Sequence, residues 1–314
     1  MAISNPLPFV SIIVPAYNAS RTIRMCIEAL LSQSYDRNRY EVIIVDNVST
    51  DKTPEIIKEY PVTYILEDKV RTSYGARNAG IRAAKGEIIF LTDSDCIPEK
   101  NWVSAGITTF SDQKIGGVTG PTIDYQPENK LEKYIAEAKP LDCSPSFRPG
   151  KMPQAFTCNV AYRKKIFDTV GLFDASMPGG GDVHMSWQMQ LKTDYNLVYN
   201  PHMIVSHKHR STYKSVFKQQ MRIGYGWIDV YIRYTDHINK EPQKFLFLPP
   251  HHLRIKSLFK EIGTILWAPI GLLQTIILGK DNTPLFYWTV RYAGRRIGRI
   301  KGCRHYKTWH LWNW

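Results

Sequence analysis

Four short apolar runs, separated by segments of helical character, constrain the fold of this chain more than any other feature. The runs are Phe9–Pro15, Glu41–Asp46, Val62–Leu66 and Ile88–Leu91. Their continuous β-branched and aliphatic character is typical of strands that are buried on both faces of a parallel sheet. Because strand and helix alternate at short spacing, we predict an α/β fold: a mainly parallel sheet with right-handed crossovers, flanked by helices.

The pattern loosens after Cys96 but stays α/β. We predict further strands within residues 116–121, 156–162, 196–199 and 203–206, and helices within residues 129–139, 163–170, 182–190 and 212–218. This organisation extends to about residue 235. We therefore divide the chain into an α/β domain at residues 1–235 and a helical extension at residues 236–314.

Cysteine usage and the N-terminus bear on the compartment. The 314-residue chain has five cysteines, an odd number without a C-x-x-C pair, which favours a reducing compartment over a disulfide framework or a structural zinc site. The first 15 residues contain three prolines and no basic region ahead of the apolar run, unlike a signal peptide. We therefore expect the α/β domain to face the cytosol.

Positive charge is concentrated in the C-terminal third. Residues 206–314 carry 19 Lys and Arg against 5 Asp and Glu, whereas residues 1–205 carry 22 against 23. Such a segment favours an anionic neighbour, which is nucleic acid, acidic lipid or a diphosphate. We expect no nucleic acid partner, because an uncharged stretch interrupts the basic tail.

That uncharged stretch is Ile262–Gly279, with 18 residues. A membrane span needs roughly 20 apolar residues, and Pro269 and Gln274 weaken the match. Arginines mixed with aromatic residues follow in residues 285–302, a composition suited to the headgroup zone of a bilayer. Three interpretations stay open: a helical hairpin or an interfacial helix pair in the membrane, a single span, and a helix packed in a soluble core.

Acidic side chains follow two of the predicted strands. Asp46 ends the second strand, and Asp93 and Asp95 follow Ile88–Leu91. In open α/β sheets, ligands bind at the carboxyl ends of the strands. Two carboxylates one residue apart can hold a divalent cation, which in turn can bind a diphosphate. The competing interpretation is an acidic turn without a ligand.

Several motifs occur in one order along residues 8–225 and together resemble the family 2 glycosyltransferases of the GT-A fold. The motifs are SIIVPAYNAS, EVIIVDNVSTD, ARNAGI, GEIIFLTDSD with its D-x-D, NVAYRK followed by GLFD, and GGGDVHMSW. The resemblance implies that one sugar moves from a nucleotide-diphosphate sugar donor to an acceptor hydroxyl, with inversion at the anomeric carbon. It also implies a divalent cation, Mg²⁺ or Mn²⁺, as cofactor.

The resemblance assigns the donor and the cation to the ends of the first, second and fourth strands. The residues that would bind the donor nucleotide are Pro15, Tyr17, Asn18, Asp46, Arg71, Arg77 and Asp93, the two arginines standing near the phosphates. Asp93 and Asp95 would bridge donor and cation, Asp95 more directly. His207 would complete the metal site, a surface histidine being the competing interpretation.

The resemblance also assigns the catalytic base. Family members carry a Glu-Asp pair at the start of a helix, and the Asp accepts the proton of the acceptor hydroxyl. Asp182 matches that base. The resemblance places Gly181 and His184 on the acceptor side: Gly181 replaces the Glu, and His184 stands where many relatives carry a second acid. The competing interpretation of Asp182 is a helix N-cap.

Three further residues are assigned to the acceptor side. Asn159 matches a position near the acceptor, with a turn residue as the alternative. Gln219 and Arg222 belong to a sequence that resembles the Q-x-x-R-W signature of processive synthases but lacks its Trp. We therefore favour transfer of a single sugar over chain extension.

Two other functions stay open. A nucleotidyltransferase uses a related sheet, but it would carry a Gly-rich phosphate loop after the first strand, and PAYNASRT contains no glycine. A non-catalytic membrane-binding module would not need intact Asp93, Asp95 and Asp182. We expect a glycosyltransferase at the cytoplasmic face of the membrane, with a lipid-linked or glycan acceptor in polysaccharide, glycolipid or cell-envelope biosynthesis.

Overall fold

The computed structural model describes residues 7–245, 263–264, 266–271, 273–275, 277–278 and 281–308. Within these residues the strands are β1 (Val10–Ala16), β2 (Tyr40–Asp46), β3 (Thr63–Leu66), β4 (Ile88–Thr92), β5 (Cys96–Pro98), β6 (Ile115–Thr119), β7 (Thr122–Asp124), β8 (Asn159–Arg163), β9 (Asn196–Tyr199) and β10 (Val205–His207). Each of the four predicted N-terminal strands is present.

The strands form two sheets. The larger has seven strands in the order β3-β2-β1-β4-β8-β6-β9. Its first four strands are parallel, β8 runs antiparallel to both of its neighbours, and β9 is parallel to β6. The smaller sheet has the order β5-β10-β7, and β10 places His207 directly opposite Cys96 of β5. The prediction of a mainly parallel sheet is therefore confirmed.

The helices follow the predicted alternation. They are α1 (Ile23–Leu31), α2 (Thr53–Lys58), α3 (Ser73–Ala83), α4 (Trp102–Thr109), α5 (Lys130–Glu137), α6 (Lys164–Val170), α7 (Gly181–Lys192), α8 (Tyr213–Lys240) and α9 (Thr283–Tyr306). Short 3-10 turns occur at Arg37–Arg39, Ser144–Phe147 and Pro242–Lys244. The described residues between 263 and 278 are helical as well.

Helices cover both faces of the larger sheet. On β1, Ile12 and Val14 point to one face and pack with Ile27 of α1, whereas Ile13 points to the other face and packs with Ile81 of α3. Both faces of the strand are buried, which is why its sequence is a continuous apolar run rather than an alternating one. All five cysteines are buried free thiols.

Helix α8 is longer than the sequence indicates. It begins at Tyr213, as predicted, but it continues to Lys240 instead of ending near Lys218. The predicted end was wrong because Gly224 and Gly226 have low helix propensity, while both are buried against neighbouring backbone. Residue 235 lies inside α8, so the α/β domain and the extension share this helix.

Helix α9 packs closely along α8. Gly294, Gly298 and Gly302 lie one turn apart on α9, and a side chain at any of them would press on α8. Small residues at this spacing let two helix backbones approach closely. At the other side of α9, the indole N–H of Trp288 donates a 2.7 Å hydrogen bond to the hydroxyl of Tyr134 on α5. The extension is thus docked on the α/β domain through α9.

The helical residues between 263 and 278 have an inner and an outer side. On the inner side, Gly271 is buried against Leu285 of α9. The outer side exposes apolar residues: Leu266, Trp267, Ile270, Leu273, Ile277 and Leu278. In the described ranges, every helix is too short or too polar to span a membrane. Ile262 and Gly279, the ends of the predicted uncharged stretch, lie outside those ranges.

Candidate active site

The D-x-D residues lie where strand β4 ends. The strand stops at Thr92, and Asp93 and Asp95 occupy the short loop that leads into β5. The Asp95 carboxylate oxygen Oδ1 lies 3.5 Å from Nε2 of His207, which ends the paired strand β10. Pairing of β5 with β10 therefore brings together two residues that are more than 100 positions apart in the sequence.

His207 is buried rather than on the surface, with 7% of the residue exposed. Its Nδ1 is also buried and has no hydrogen-bond partner in the described part of the chain. Asp95, Cys96 and His207 each place one ligand atom within 4.8 Å of the others. A carboxylate and an imidazole that face each other beyond hydrogen-bond distance fit a divalent cation.

Cys96 belongs to this cluster by position but is a poor ligand. Burial raises the pKa of its thiol well above the usual value, and Cys158 and the charge of Asp95 raise it further. A thiolate is also a soft ligand, whereas Mg²⁺ and Mn²⁺ prefer oxygen ligands. The groups that could face such a cation are therefore Asp95 and His207, with Asp93 adjacent.

Asp93 is held by an arginine of helix α3. The Arg77 guanidinium donates through Nη2 to Oδ1 of Asp93. The Arg77 side chain is 4% exposed and the Asp93 side chain 32% exposed, so the carboxylate forms the outer half of the pair. Arg77 also lies over the ring of Tyr74, with Cζ 5.8 Å from the ring centroid. Its charge is thereby fixed at the edge of the sheet where the donor phosphates are expected.

Asp182 lies in the first turn of helix α7. The N-cap position is occupied by Gly180 in the left-handed region, with φ 77°, so the N-cap interpretation of Asp182 is wrong. Loss of water around the carboxylate raises the pKa of Asp182; the nearby charge of Arg77 opposes this rise and that of Asp93 adds to it. These influences place Asp182, Arg77 and Asp93 in one electrostatic environment.

Tyr74 accounts for the glycine at position 181. Its hydroxyl accepts a 2.8 Å hydrogen bond from the backbone N–H of Gly181. A Cβ atom at residue 181 would lie 2.7 Å from Cζ of the Tyr74 ring. The space that the side chain of a Glu would need is therefore filled by an aromatic ring. Sequence reasoning missed Tyr74; the available signal was its position one helical turn before Arg77.

The predicted nucleotide site lies at the ends of β1 and β2. Asp46 is buried, and its carboxylate accepts from the N–H of Ser49 at 3.2 Å. Asn18, at φ 50°, ties the two loops together, since its Oδ1 accepts from the N–H of Thr50 at 2.8 Å. Tyr17 is 62% exposed beside them. The arrangement presents an aromatic face next to a polar loop that is held by hydrogen bonds.

For two other predicted donor-binding residues, Pro15 and Arg71, the structure shows no hydrogen bond or ion pair with the acids of the site among the residues it describes. Pro15 lies inside β1, paired with Val45 and one residue before the strand ends at Ala16. Arg71 is exposed, and its Nε points to the carbonyl of Asp68 at 3.4 Å. No contact of Arg71 with the acids of the site is present among the described residues, so its role toward the donor phosphates stays a prediction.

Two of the predicted acceptor-side residues are occupied elsewhere. Asn159 is buried at the start of β8, donates to the carbonyls of Pro121 and Met203 at 2.8 Å each, and accepts from Trp102 Nε1 at 2.8 Å. These bonds connect the start of β8 to helix α4 and to the loops before β7 and β10, and they use both N–H groups of the amide. The other residue is His184 on α7, whose ring contacts a side chain of α8.

Nδ1 of His184 lies 2.9 Å from the hydroxyl of Tyr234 on α8. Burial lowers the pKa of His184 to about 4, so the ring is neutral at pH 7.

The two other acceptor-side residues lie on α8. Gln219 is half-buried. Arg222 is exposed and lies alongside Gly179, two residues before α7, and its acceptor-side role stays a prediction.

A mainly parallel sheet that gathers acids from β2, β4 and α7 at one edge matches the arrangement expected of a GT-A glycosyltransferase. Residues 11–171 match the family described as Glycosyl transferase family 2. The chain belongs to this family. It is 30% identical over 292 residues to Glycosyltransferase AglE of Haloferax volcanii, a match that spans 84% of this chain and 93% of that protein.

A second relative and a solved structure agree with this assignment. The chain is 29% identical over 233 residues to the dolichyl N-acetyl-alpha-D-glucosaminyl phosphate 3-beta-D-2,3-diacetamido-2,3-dideoxy-beta-D-glucuronosyltransferase of Methanococcus voltae, covering 69% of this chain and 72% of that protein. The mannosyltransferase PcManGT from Pyrobaculum calidifontis, solved with GDP-Man and Mn²⁺, has a TM-score of 0.66 at 19% identity over 94% of this chain and 87% of its own. The predicted GT-A fold and glycosyltransferase function are confirmed.

Proposed function

We propose that this glycosyltransferase moves a single sugar from a nucleoside-diphosphate donor to an acceptor hydroxyl, with inversion at the anomeric carbon. The observation that supports this most directly is a continuous series of contacts at the carboxyl edge of the sheet: Arg77 pairs with Asp93 and lies over the ring of Tyr74, and the hydroxyl of Tyr74 accepts from Gly181, the residue before Asp182. A single displacement needs a base on one side of the sugar and a stabilised diphosphate on the other.

In the proposed step, Asp182 accepts the proton of the acceptor hydroxyl while that oxygen bonds to the anomeric carbon. The bond from this carbon to the diphosphate oxygen breaks, and the nucleoside diphosphate leaves with the bonding electrons. The raised pKa of Asp182 makes its carboxylate a stronger base than a solvated aspartate. The backbone bond from Gly181 to Tyr74 holds the start of α7 in place for this transfer.

The donor would lie across the ends of β1, β2 and β4. Tyr17 offers a ring to the nucleobase and Asp46 a carboxylate edge to the base or ribose. Asp95 and His207 would hold Mg²⁺ or Mn²⁺. Bound there, the cation would neutralise charge on the departing diphosphate, an effect worth several kcal/mol in metal enzymes. Asp93, fixed by Arg77, would face the donor beside it.

A cation-dependence assay tests the reaction class. The purified full-length chain is incubated with UDP-glucose and with GDP-mannose, each with Mn²⁺, with Mg²⁺ and with EDTA, and released UDP or GDP is measured. Release from at least one donor that needs the cation and stops in EDTA is expected. A nucleotidyltransferase would instead release pyrophosphate from a nucleoside triphosphate, and a non-catalytic module would release nothing.

We further propose that the acceptor is a lipid-linked sugar held at a membrane surface, on the cytoplasmic side. The relative from Methanococcus voltae, by its name, acts on a dolichyl phosphate-linked sugar. Six apolar side chains between residues 266 and 278 face outward, and α9 beside them carries arginines along its length. An exposed apolar helix face next to basic residues fits an anionic bilayer interface.

Substitution on this outer face is expected to weaken vesicle binding. The double variant Leu266→Glu with Leu273→Glu places charge where two leucines, 69% and 57% exposed, would enter the interface. We expect at least a tenfold loss of binding to phosphatidylglycerol-containing vesicles in a flotation assay, because burying one leucine is worth about 1.5–3 kcal/mol.

The control for vesicle binding is Leu191→Glu, an exposed leucine on α7 outside the extension. It is expected to float with the vesicles as the unsubstituted protein does. Equal flotation of the double variant and the unsubstituted protein would remove the proposed membrane surface, while the donor assay would still report on the reaction.

A further inference from the structure

One face of helix α8 lies against the loop that leads into the catalytic helix. Residues 174–181, here called the base loop, consist of this loop and the first residue of α7, and they end directly before Asp182. A methyl group at Gly226 of α8 would overlap the carbonyl of Gly179. A Cβ at Gly180 would lie 2.7 Å from a methyl carbon of Val230, one turn further along α8. The backbone of α8 therefore sets the position of the base loop.

Polar side chains of α8 also contact residues at both ends of the base loop. Arg233 Nη2 forms a 2.8 Å ion pair with Asp174, which begins the base loop, and its Nε binds Asp229 at 2.6 Å. The hydroxyl of Tyr234 binds Nδ1 of His184 at 2.9 Å, just beyond the base loop. From the opposite side, Tyr74 of α3 binds Gly181. The base loop is thus clamped between α3 and α8.

A glycine in the middle of a long helix needs a reason, since alanine is the better helix former by about 1 kcal/mol. Helix α8 has two such glycines, on different sides. Gly224 faces α9, where a methyl group would overlap the carbonyl of Arg295. Gly226 faces the base loop instead. A substitution at Gly224 should therefore affect the docking of the extension, whereas a substitution at Gly226 should affect the position of the base loop.

We propose that Gly226 is a positioning residue for the transfer reaction. Because residue 226 has no side chain, the base loop can pack directly against the backbone of α8. This packing orients Asp182 toward the acceptor hydroxyl. This inference rests on the proposed function, because it assumes that Asp182 is the base. A methyl group at residue 226 would push the base loop away from α8 while leaving the donor-side residues on β1, β2 and β4 in place.

The test compares Gly226→Ala with its matched control, Gly224→Ala, in the full-length chain. Both variants add one methyl group to α8 in a close backbone contact. We expect Gly226→Ala to lower kcat for Mn²⁺-dependent release of UDP from UDP-glucose or GDP from GDP-mannose by at least about tenfold, since an error near 1 Å in a reacting group can cost 100-fold. Affinity for UDP and GDP should stay within about twofold. Gly224→Ala should keep kcat within about twofold.

Hydrogen exchange supplies a readout that does not need turnover. In Gly226→Ala, peptides covering the base loop should exchange faster than in the unsubstituted protein. In Gly224→Ala, faster exchange should appear in α9 and not in the base loop. If Gly226→Ala does not fold, Val230→Ala removes the methyl groups that face Gly180 and should give the same pattern with a smaller change.

The inference requires both the selective loss of kcat and the faster exchange of the base loop. Equal losses of kcat in the two glycine variants, or unchanged exchange in the base loop of Gly226→Ala, would overturn it. If the unsubstituted protein releases neither UDP nor GDP, the proposed function fails on its own assay. The exchange comparison then decides only whether Gly226 holds the base loop against α8, and the inference about the transfer reaction falls together with the proposed function.

Discussion

Replacing Asp182 by Asn is expected to reduce sugar transfer by about 10²- to 10⁴-fold, the usual contribution of a general base. Asn is close in shape to Asp, so the 3.0 Å contact of Oδ1 with the N–H of Val183 can persist. Donor affinity should therefore remain within about threefold. The measurement is kcat for nucleoside diphosphate release together with calorimetric titration of UDP and GDP in Mn²⁺.

The pH dependence gives a second test of the same residue. Burial raises the pKa of Asp182, so the base is lost to protonation at a higher pH than for a solvated aspartate. The rate should be constant above this pKa and should fall about tenfold per pH unit below it. Asp182→Asn should lack this acid limb. A variant that instead loses affinity for UDP and GDP would assign Asp182 a structural role.

Replacing Asp95 by Ala is expected to remove cation-dependent donor binding. Asp95 faces His207 across a gap of 3.5 Å between Oδ1 and Nε2, and in the proposed function these groups hold the cation that binds the diphosphate. We expect affinity for UDP or GDP in Mn²⁺ to fall about 100-fold, or roughly 3 kcal/mol, toward the value measured in EDTA. Calorimetric titration with and without Mn²⁺ measures the difference.

The matched control for Asp95 is Asp124→Asn. Asp124 is also an acid of the smaller sheet, but its carboxylate pairs with His209 at 2.5 Å. This variant should keep the effect of Mn²⁺ on nucleotide binding. Unchanged cation dependence in Asp95→Ala would show that the cation, if needed, is held by other groups, and Asp93 would be the next residue to substitute.

The two acids that carry these predictions could be found in the sequence for different reasons. Asp95 follows a buried apolar strand, and the end of a parallel strand is a ligand-binding edge by topology alone. Asp182 has no such local signature, because a Gly-Gly-Gly-Asp sequence also fits a flexible linker. It was found through its place in a series of motifs, and the structure adds Tyr74 as the reason why Gly precedes it.

Asn159 and His184 show where position in a motif was not enough. Both stand at sequence positions expected near the acceptor. The amide of Asn159 makes three hydrogen bonds, to helix α4 and to two loops, and Nδ1 of His184 lies against the hydroxyl of Tyr234 on α8. A polar residue type is compatible with either a substrate or a buried partner. The choice depends on neighbours that come from other parts of the chain.

The sequence by itself determined the alternation of strand and helix, the mainly parallel sheet and the acids at its edge, because apolar periodicity and strand ends are local properties. Only the tertiary structure decided that Arg77 neutralises Asp93, that His207 reaches Asp95, and that α8 runs through Gly224 and Gly226 to hold the base loop. Those pairings join residues far apart in the sequence, and close backbone packing outweighs the low helix propensity of glycine.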